Sequence, residues 1–185
     1  MKKRTTIRIS AFLLCLCCAF FTSCKEDDGK GYVFGYDISS NPGSLDPQYA
    51  SDRESYLIIG SVFEGLFRIG ADGNAEKAMA ESYTVSDDGL TYNFKLKQDR
   101  YWTDVNGYNK KVTAADFVFG FRRLFLPETR APKASEYFCI KNSDKINSGE
   151  ITDLSQLGVT AQGDYSLTIE LQYTEPSFAM LLAMP

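Results

Sequence analysis

Two segments of the chain alternate apolar and polar residues with a period of two, which is typical of half-buried antiparallel strands. The clearer segment runs from Leu90 to Leu96, after Asp87-Asp88-Gly89 and a shorter alternation at Tyr83 and Val85. Because Asp-Gly supplies the positive φ angles of a tight turn, this stretch predicts a β-hairpin with Tyr83 and Val85 on its apolar face. A second hairpin is predicted around the turn 162–164, with outward positions Ser166, Thr168 and Glu170.

Apolar residues at helical spacing predict two amphipathic helices. The first follows Ser51 or Asp52 as N-cap, and its stripe is Tyr56, Ile59, Phe63 and Leu66. The second begins with a capping box at Thr113–Asp116 and ends before Pro127, with the stripe Phe117, Phe121, Leu124 and Phe125. Arg122 and Arg123 lie off that stripe and are predicted to face solvent.

Shorter elements complete the prediction. We expect a strand over 32–39, a short strand over 66–69 followed by a turn at 70–74, and short helices over 134–140 and 178–184. Residues 75–80 are ambiguous between a loop and a single helical turn. Strands interspersed with helices predict a mixed α/β fold.

The first residues have the pattern of an export signal. Lys2, Lys3, Arg4 and Arg8 form a basic start, and the apolar run 11–21 that follows is too short to span a bilayer. Phe21-Thr22-Ser23-Cys24 resembles the lipobox of bacterial lipoproteins, with Phe in place of the usual Leu. This resemblance implies a signal peptide over 1–23 and a lipid-anchored Cys24, after which the charged, glycine-rich residues 24–31 serve as a flexible tether.

Charge and cysteine content narrow the class of protein. Removal of residues 1–23 would leave 16 basic and 24 acidic side chains, a formal charge of −8, which argues against nucleic-acid binding. Two of the five cysteines would remain, Cys24 and Cys139, so no disulfide framework is predicted. We interpret Cys139 as a small buried residue rather than a reactive thiol.

Catalytic and cofactor motifs are missing from the sequence. It contains no histidine and no phosphate-binding glycine motif, which removes His-based triads and most zinc sites, and we predict no enzyme, no metal and no cofactor. Asp87 and Asp88 are adjacent turn residues that point apart, so a catalytic pair is not expected. Periodicity places six aromatic residues in the core: Tyr83, Tyr92, Phe94, Phe117, Phe121 and Phe125. Trp102, the single tryptophan, is predicted to act as a packing wedge rather than a ligand shelf.

The order of several short motifs resembles the family 5 extracellular solute-binding proteins, the oligopeptide and dipeptide binders of ABC importers. The motifs are Ser44–Pro47, Val62–Leu66, Ala80–Tyr83, Asp87–Leu96, Trp102–Asp104, Val112–Phe117, Leu157–Val159, Leu167–Leu171 and Glu175–Phe178. The resemblance covers residues 32–185, with departures at 76–79 and in a lengthened turn over 105–111.

The resemblance implies a type II periplasmic-binding-protein-like fold with two lobes that close on the ligand. Residues 32–45 and 141–185 would belong to the main lobe and residues 46–140 to an extra subdomain. Family members are several hundred residues long, so the chain looks like their first third, and we expect weak ligand affinity and poor stability for this portion alone.

The resemblance also implies a ligand and a set of partners. The segment Asp52-Arg53-Glu54 aligns with residues that lie along the ligand in peptide-binding relatives; alternatively, Asp52 is only a helix cap and Arg53 a solvated charge. The expected protein is an extracytoplasmic monomer, anchored to the membrane through Cys24, that delivers oligopeptides to an ABC permease. Alternatives are a dipeptide, nickel-complex or oligosaccharide binder, or a secreted hydrolase or adhesin on a similar scaffold.

Overall fold

A computed structural model describes residues 35–184 of the protein, and its helices and strands all lie in the unit that begins at Ile38. The strands are β1 (Phe67–Ile69), β2 (Ala75–Lys77), β3 (Ala80–Val85), β4 (Thr91–Leu96), β5 (Tyr101–Thr103), β6 (Asn109–Lys111), β7 (Val159–Ala161) and β8 (Ser166–Glu170). The α-helices are α1 (Arg53–Val62), α2 (Ala114–Phe125), α3 (Ser143–Asn147) and α4 (Phe178–Leu181). Two 3-10 turns cover Ala134–Tyr137 and Leu154–Gln156.

The centre of the fold is a four-stranded antiparallel sheet in the order β3-β4-β8-β7. Phe94 of β4 lies opposite Leu167 of β8, and both side chains are buried together with Leu96 and Ile169. Helix α2 packs on β7 and β8, and its last residue, Phe125, is fully buried. Both predicted hairpins are thus confirmed, and they join each other to form the sheet.

Three predicted positions on these strands are corrected. Tyr83 and Val85 are each 41% exposed, because β3 is an edge strand and its outer residues are only partly covered. Tyr83 still packs on Phe94, with 5.8 Å between ring centroids. Thr168, predicted to point outward, is 9% exposed, because it lies on a central strand and donates a hydrogen bond to Asn93 Oδ1 at 2.8 Å.

The first half of the unit contains helix α1 and two small hairpins. Asp52 caps α1 as predicted, and the helix ends at Val62, where Phe63 turns to extended backbone. Strands β1 and β2 pair around the predicted turn, so residues 75–77 form a strand rather than the loop or helical turn considered above. The lengthened turn after Trp102 is a hairpin of β5 and β6. The predicted strand over 32–39 is wrong in its described part, because residues 35–39 have no regular structure.

Helix α2 is built as its sequence predicts. The Asp116 carboxylate accepts a hydrogen bond from Thr113 N at 2.7 Å, which confirms the capping box. The helix ends at Phe125, Leu126 follows it in extended conformation, and Pro127 begins a turn. Residues 134–137 form a 3-10 turn where a short helix was predicted.

The predicted division into lobes stays a prediction. The sheet takes β3 and β4 from the segment 46–140 and β7 and β8 from the segment 141–185. The predicted signal peptide over 1–23, the lipidated Cys24 and the tether over 24–31 lie outside the described residues. Within the described range, no helix has the length and apolar character that crossing a bilayer requires.

Candidate functional site

The loop before helix α1 contains the predicted ligand-binding segment, and Asp52 holds this loop together. Its Oδ1 accepts a hydrogen bond from Ser55 N at 2.8 Å, and its Oδ2 accepts from Ser55 Oγ at 2.7 Å and from Gly43 N at 3.1 Å. Ser55 Oγ in turn accepts from Ser44 N at 3.2 Å. These bonds, chiefly that from the Ser55 hydroxyl, hold the pKa of Asp52 below its ordinary value. Asp52 therefore joins the helix N-terminus to the chain nine residues earlier.

Arg53 and Glu54, the other two predicted ligand-binding residues, occupy the first turn of α1. Arg53 is exposed and Glu54 is half-buried. Among residues 35–184, neither charged group makes an ion pair or a side-chain hydrogen bond. The structure thus brings the three residues together, with one carboxylate used for capping and two charged groups left available.

An ion pair fixes the same loop to helix α2. Arg123 donates hydrogen bonds from Nη1 to Asp46 Oδ1 at 2.9 Å and from Nη2 to Asp46 Oδ2, and also from Nη1 to Gln48 Oε1 at 3.0 Å. Gln48 Nε2 donates to Gly120 O at 2.7 Å. Both partners of the ion pair have side chains that are 33% exposed. The prediction that Arg123 is a solvated surface residue is therefore wrong.

The electrostatics of this pair follow from its geometry. The hydrogen bonds from the Arg123 guanidinium hold the pKa of Asp46 below its ordinary value, and Asp46 raises the pKa of Arg123. Asp46 Oδ1 also accepts a hydrogen bond from Gln48 N at 3.0 Å. Asp46 is thus a fully bonded carboxylate at neutral pH, and the loop that leads to Arg53 and Glu54 is attached at a defined place on α2.

An apolar cavity of about 380 Å3 lies beside this loop. Its wall includes residues from α1, α2, the β5 strand and the chain around α4. The aromatic residues of the wall are Tyr56, Phe63, Tyr101, Trp102, Phe117, Phe121 and Tyr137. Trp102 is 38% exposed, and its ring meets Phe63 edge-on at 6.3 Å. Trp102 also lines the cavity, and Phe117 and Phe121 are partly buried against the core and line the cavity as well.

Most polar groups in the cavity wall have partners within the protein. Tyr56 Oη donates to Ala50 O at 2.8 Å, and Tyr137 Oη donates to Leu181 O at 3.0 Å. The charged wall residues Glu64, Arg100 and Asp116 each have an oppositely charged partner within 4 Å. Lys133 differs, because its ammonium lies over the Tyr56 ring at 4.4 Å and makes no ion pair in the described part of the chain.

The residues considered above for catalysis have structural roles. Asp88 Oδ1 accepts a hydrogen bond from Leu90 N at 3.0 Å and so stabilises the turn of the first hairpin. Cys139 is 1% exposed, and burial raises the pKa of its thiol to about 11, which confirms that it is a buried residue. Between residues 35 and 184, no group of three or more His, Cys, Asp or Glu side chains is placed to hold a metal ion.

Comparison with known proteins identifies the family. The family model described as bacterial extracellular solute-binding proteins, family 5 middle, matches residues 74–185. The chain belongs to family 5 of the bacterial extracellular solute-binding proteins. The family 5 resemblance inferred from the sequence motifs is therefore confirmed.

Individual relatives agree with this assignment. A dipeptide-binding protein of Lactococcus lactis is 35% identical over 181 residues, and an oligopeptide-binding protein of Bacillus subtilis is 33% identical over 191 residues. The two alignments cover 98% and 99% of this chain but only 31% and 34% of the relatives' own lengths. The chain therefore spans about a third of these family 5 relatives.

A solved family 5 structure shows the same fold. The oligopeptide-binding protein of Listeria monocytogenes, determined with a bound peptide, superposes with a TM-score of 0.74 at 32% sequence identity. The match covers 79% of this chain and 28% of that one. The chain accordingly has part of the type II periplasmic-binding-protein fold, as the resemblance implied.

Sequence reasoning missed the clamp formed by Asp46, Gln48 and Arg123. Asp46 belongs to one of the quoted motifs, but Arg123 lies 77 residues away and carries no local pattern that points to a partner. It also missed the cavity, because Phe117 and Phe121 have the same helical spacing whether they face a core or an open space.

Proposed function

We propose that this chain is a solute-binding component of a peptide-importing ABC transporter. In this function it captures oligopeptides outside the cytoplasm and delivers them to a membrane permease. The observation that carries the proposal is the family 5 match over residues 74–185. Relatives described as dipeptide-binding and oligopeptide-binding favour peptides among the solutes that such a protein could take.

The ligand-binding segment that we propose is Asp52-Arg53-Glu54. Asp52 positions the turn through its bonds to Ser55 and Gly43, and the charged groups of Arg53 and Glu54 remain available to a ligand. A peptide presents a charged amine, a charged carboxylate and regularly spaced main-chain groups that are common to all sequences. Contacts with these groups, and water in roomy side-chain pockets, allow binding without strong sequence preference.

The proposed mechanism is closure of two lobes around the peptide, followed by docking on the permease, without covalent chemistry. The protein acts as a monomer and is not an enzyme. It is held at the outer face of the membrane by a lipid on Cys24, through the tether 24–31. Support for the anchor is the signal-like sequence 1–23, which ends in a motif similar to a lipobox.

Growth on peptides tests the proposed function. In a host made auxotrophic for one amino acid, deletion of the gene that encodes this chain should prevent growth on oligopeptides containing that amino acid. Growth on the free amino acid should be unchanged. Undiminished growth of the deletion strain on peptides, with no other peptide importer present, would contradict the function.

Complementation tests the binding segment separately. The double variant Arg53→Ala/Glu54→Ala should restore peptide growth poorly, because both available charges are removed. The matched control Lys77→Ala removes an exposed charge on β2, away from this segment, and should complement fully. Full complementation by the double variant would refute the site while leaving the transport function intact.

Membrane fractionation tests the anchor. The variant Cys24→Ser should move the protein from the membrane fraction to the soluble fraction and should abolish incorporation of labelled palmitate. Incorporation of label into Cys24→Ser would contradict the anchor, because it would show that the lipid is attached at another residue.

A further inference from the structure

The turn between β5 and β6 presents an asparagine that is followed by a glycine. Among the seven asparagines of the sequence, Asn106 is the one that precedes a glycine. All residues of the hairpin 101–111 are exposed, and Val105, next to Asn106, is 101% exposed. Gly107 has φ +83°, and a Cβ at this position would meet no atom within 4 Å. Water and hydroxide therefore reach both the Asn106 side chain and the Gly107 amide.

Asp104 organises this turn. Its Oδ1 accepts hydrogen bonds from Asn106 N and from Tyr108 N, both at 2.8 Å. Its Oδ2 accepts from Asn106 Nδ2 at 3.4 Å, and its main-chain carbonyl accepts from Gly107 N at 3.2 Å. The last two distances lie at or beyond the upper end of the usual range, so the Asn106 side-chain amide and the Gly107 N–H are the weakly held groups of the turn.

The two asparagines that precede serine are held more firmly. Asn142 lies before a fully buried Ser143, and its Nδ2 donates a hydrogen bond to Gln156 O at 2.7 Å. Asn147 is in α3, and the N–H of the following Ser148 donates to a carbonyl of the same helix at 2.9 Å. Serine also places a Cβ beside the amide nitrogen, which glycine lacks. An asparagine side chain and the amide after it meet less hindrance in the exposed turn.

We propose that Asn106 is a site of spontaneous deamidation, at which the folded protein forms aspartate and isoaspartate with time. The Gly107 nitrogen, deprotonated by hydroxide, attacks the Asn106 Cγ. A bond forms between these two atoms, the Cγ–Nδ2 bond breaks, and ammonia leaves after taking a proton from water. The reaction needs no oxidant or reductant and does not depend on the proposed peptide transport.

Hydrolysis of the cyclic imide gives two products. Water that opens the ring at Cγ leaves aspartate, and water that opens it at the main-chain carbonyl carbon leaves isoaspartate, whose backbone runs through Cγ. Aspartate puts an oxygen where Asn106 Nδ2 donates to Asp104 Oδ2, so repulsion between like charges replaces a hydrogen bond. Isoaspartate adds a methylene to the main chain and so also disturbs the bond from Tyr108 N.

Both products should loosen the hairpin of β5 and β6. The two strands pair over three positions, from Tyr101 opposite Lys111 to Thr103 opposite Asn109. A two-stranded hairpin of this length is marginally stable by itself and depends on its turn. Deamidation of Asn106 would therefore change the accessibility of the strands as well as the charge of the turn.

Incubation of the full chain in a mildly alkaline buffer measures the reaction. Peptide mapping by mass spectrometry should show replacement of NH by O at Asn106, and isoaspartyl methyltransferase should label this position. Modification of Asn106 should be at least about tenfold faster than that of Asn142 or Asn147, since an exposed turn opens more readily than a helix or a buried segment. The rate should rise with pH, because hydroxide removes the amide proton. Absence of isoaspartate at Asn106, or equal rates at the three asparagines, would overturn the proposal.

Asn106→Gln tests the chemistry at this position. Glutamine keeps a side-chain amide, but its cyclic imide needs a six-membered ring that forms far more slowly, so methyltransferase labelling should fall to background. The matched control Asn109→Gln changes another exposed asparagine of the same hairpin and should be labelled like the wild type. Labelling of Asn106→Gln at the wild-type rate would show that the reactive residue is not Asn106.

Trypsin tests the effect on the hairpin. Lys110 and Lys111 are exposed residues of β6, so cleavage after them reports opening of the β5–β6 pair. Wild-type protein aged until Asn106 is modified should be cut there about two- to fivefold faster than fresh protein, because cleavage follows the population of the open form. Asn106→Gln treated in parallel should show no change. Equal cleavage of fresh and modified wild type would contradict the loosening of the hairpin.

Discussion

The ion pair between Asp46 and Arg123 provides a quantitative test of how the loop before helix α1 is held. The perturbation is a double-mutant cycle with Asp46→Asn and Arg123→Met. Asparagine keeps an oxygen that can accept the Gln48 N–H, and methionine keeps much of the apolar stem, so the cycle isolates the charged contact. Both single variants should lower the free energy of unfolding.

The expected coupling energy follows from the geometry. Arg123 donates two hydrogen bonds to the carboxylate, and a hydrogen bond to a charged group contributes about 1.5–3 kcal/mol where it is well shielded. Fully exposed ion pairs contribute about 0.2–1 kcal/mol. With both side chains 33% exposed, solvent screens the pair in part, and we expect a coupling of about 1–2 kcal/mol.

The pH dependence of this stabilisation has a defined sign. Because the pKa of Asp46 is lowered in the folded state, the carboxylate stabilises the fold at every pH above its unfolded pKa of about 3.9. The stabilisation is lost as the pH falls through the lower folded pKa. The stability difference between the wild type and Asp46→Asn should therefore be constant at neutral pH and shrink below about pH 3.9.

Urea unfolding followed by circular dichroism measures these quantities, provided that all variants unfold in one transition. The control is Lys141–Glu170, an ion pair of similar length whose side chains are 52% and 46% exposed. A double-mutant cycle on this control pair should give a coupling energy of no more than about 0.5 kcal/mol. The role assigned to the clamp would be refuted if the two variants changed the free energy of unfolding additively. It would also be refuted if the stability difference between the wild type and Asp46→Asn grew in acid.

Three further predictions concern the scaffold. The Cys139 thiol should resist a thiol reagent in the native protein and react with it in urea, because the side chain is buried and the pKa of the thiol is raised. Labelling of Cys139 in the native protein would contradict this prediction. Gly89→Ala should lower the free energy of unfolding by about 1–2 kcal/mol, because Gly89 has φ +71° and the added Cβ would lie 3.3 Å from Thr174. Gly60→Ala, at an open position in a helix, should raise the free energy of unfolding by about 0.5–1 kcal/mol. Phe125→Ala should cost about 3–5 kcal/mol through the cavity that it leaves, and a loss below 1 kcal/mol by urea unfolding would contradict its place in the core.

Local patterns predicted the elements of the fold well. The alternation from Leu90 to Leu96 and the Asp-Asp-Gly turn specify a hairpin through neighbours in the sequence, and the hairpin formed. The capping box at Thr113–Asp116 likewise acts within one turn of helix. Where a prediction failed, tertiary contacts decided the outcome. Tyr83 is exposed because its strand became an edge, and Thr168 is buried because its strand became central.

The candidate site was predictable only in part. The motif order pointed to the family and to the segment Asp52-Arg53-Glu54, and Asp52 is one of the two N-cap residues that the sequence suggested. The clamp from Arg123 was not predictable, because a single charged residue on a helix gives no indication of a partner 77 positions away. The cavity depends on how α1, α2 and β5 pack together, which periodicity within each element does not describe.

The central proposal is that this protein captures peptides. The most direct test is to isolate it from its native host under mild conditions, denature it, and identify the released ligands by mass spectrometry. We expect a mixture of short peptides with varied sequences, present in stoichiometric amount. Release of a single non-peptide solute, with no peptides above the level of a mock purification, would contradict it.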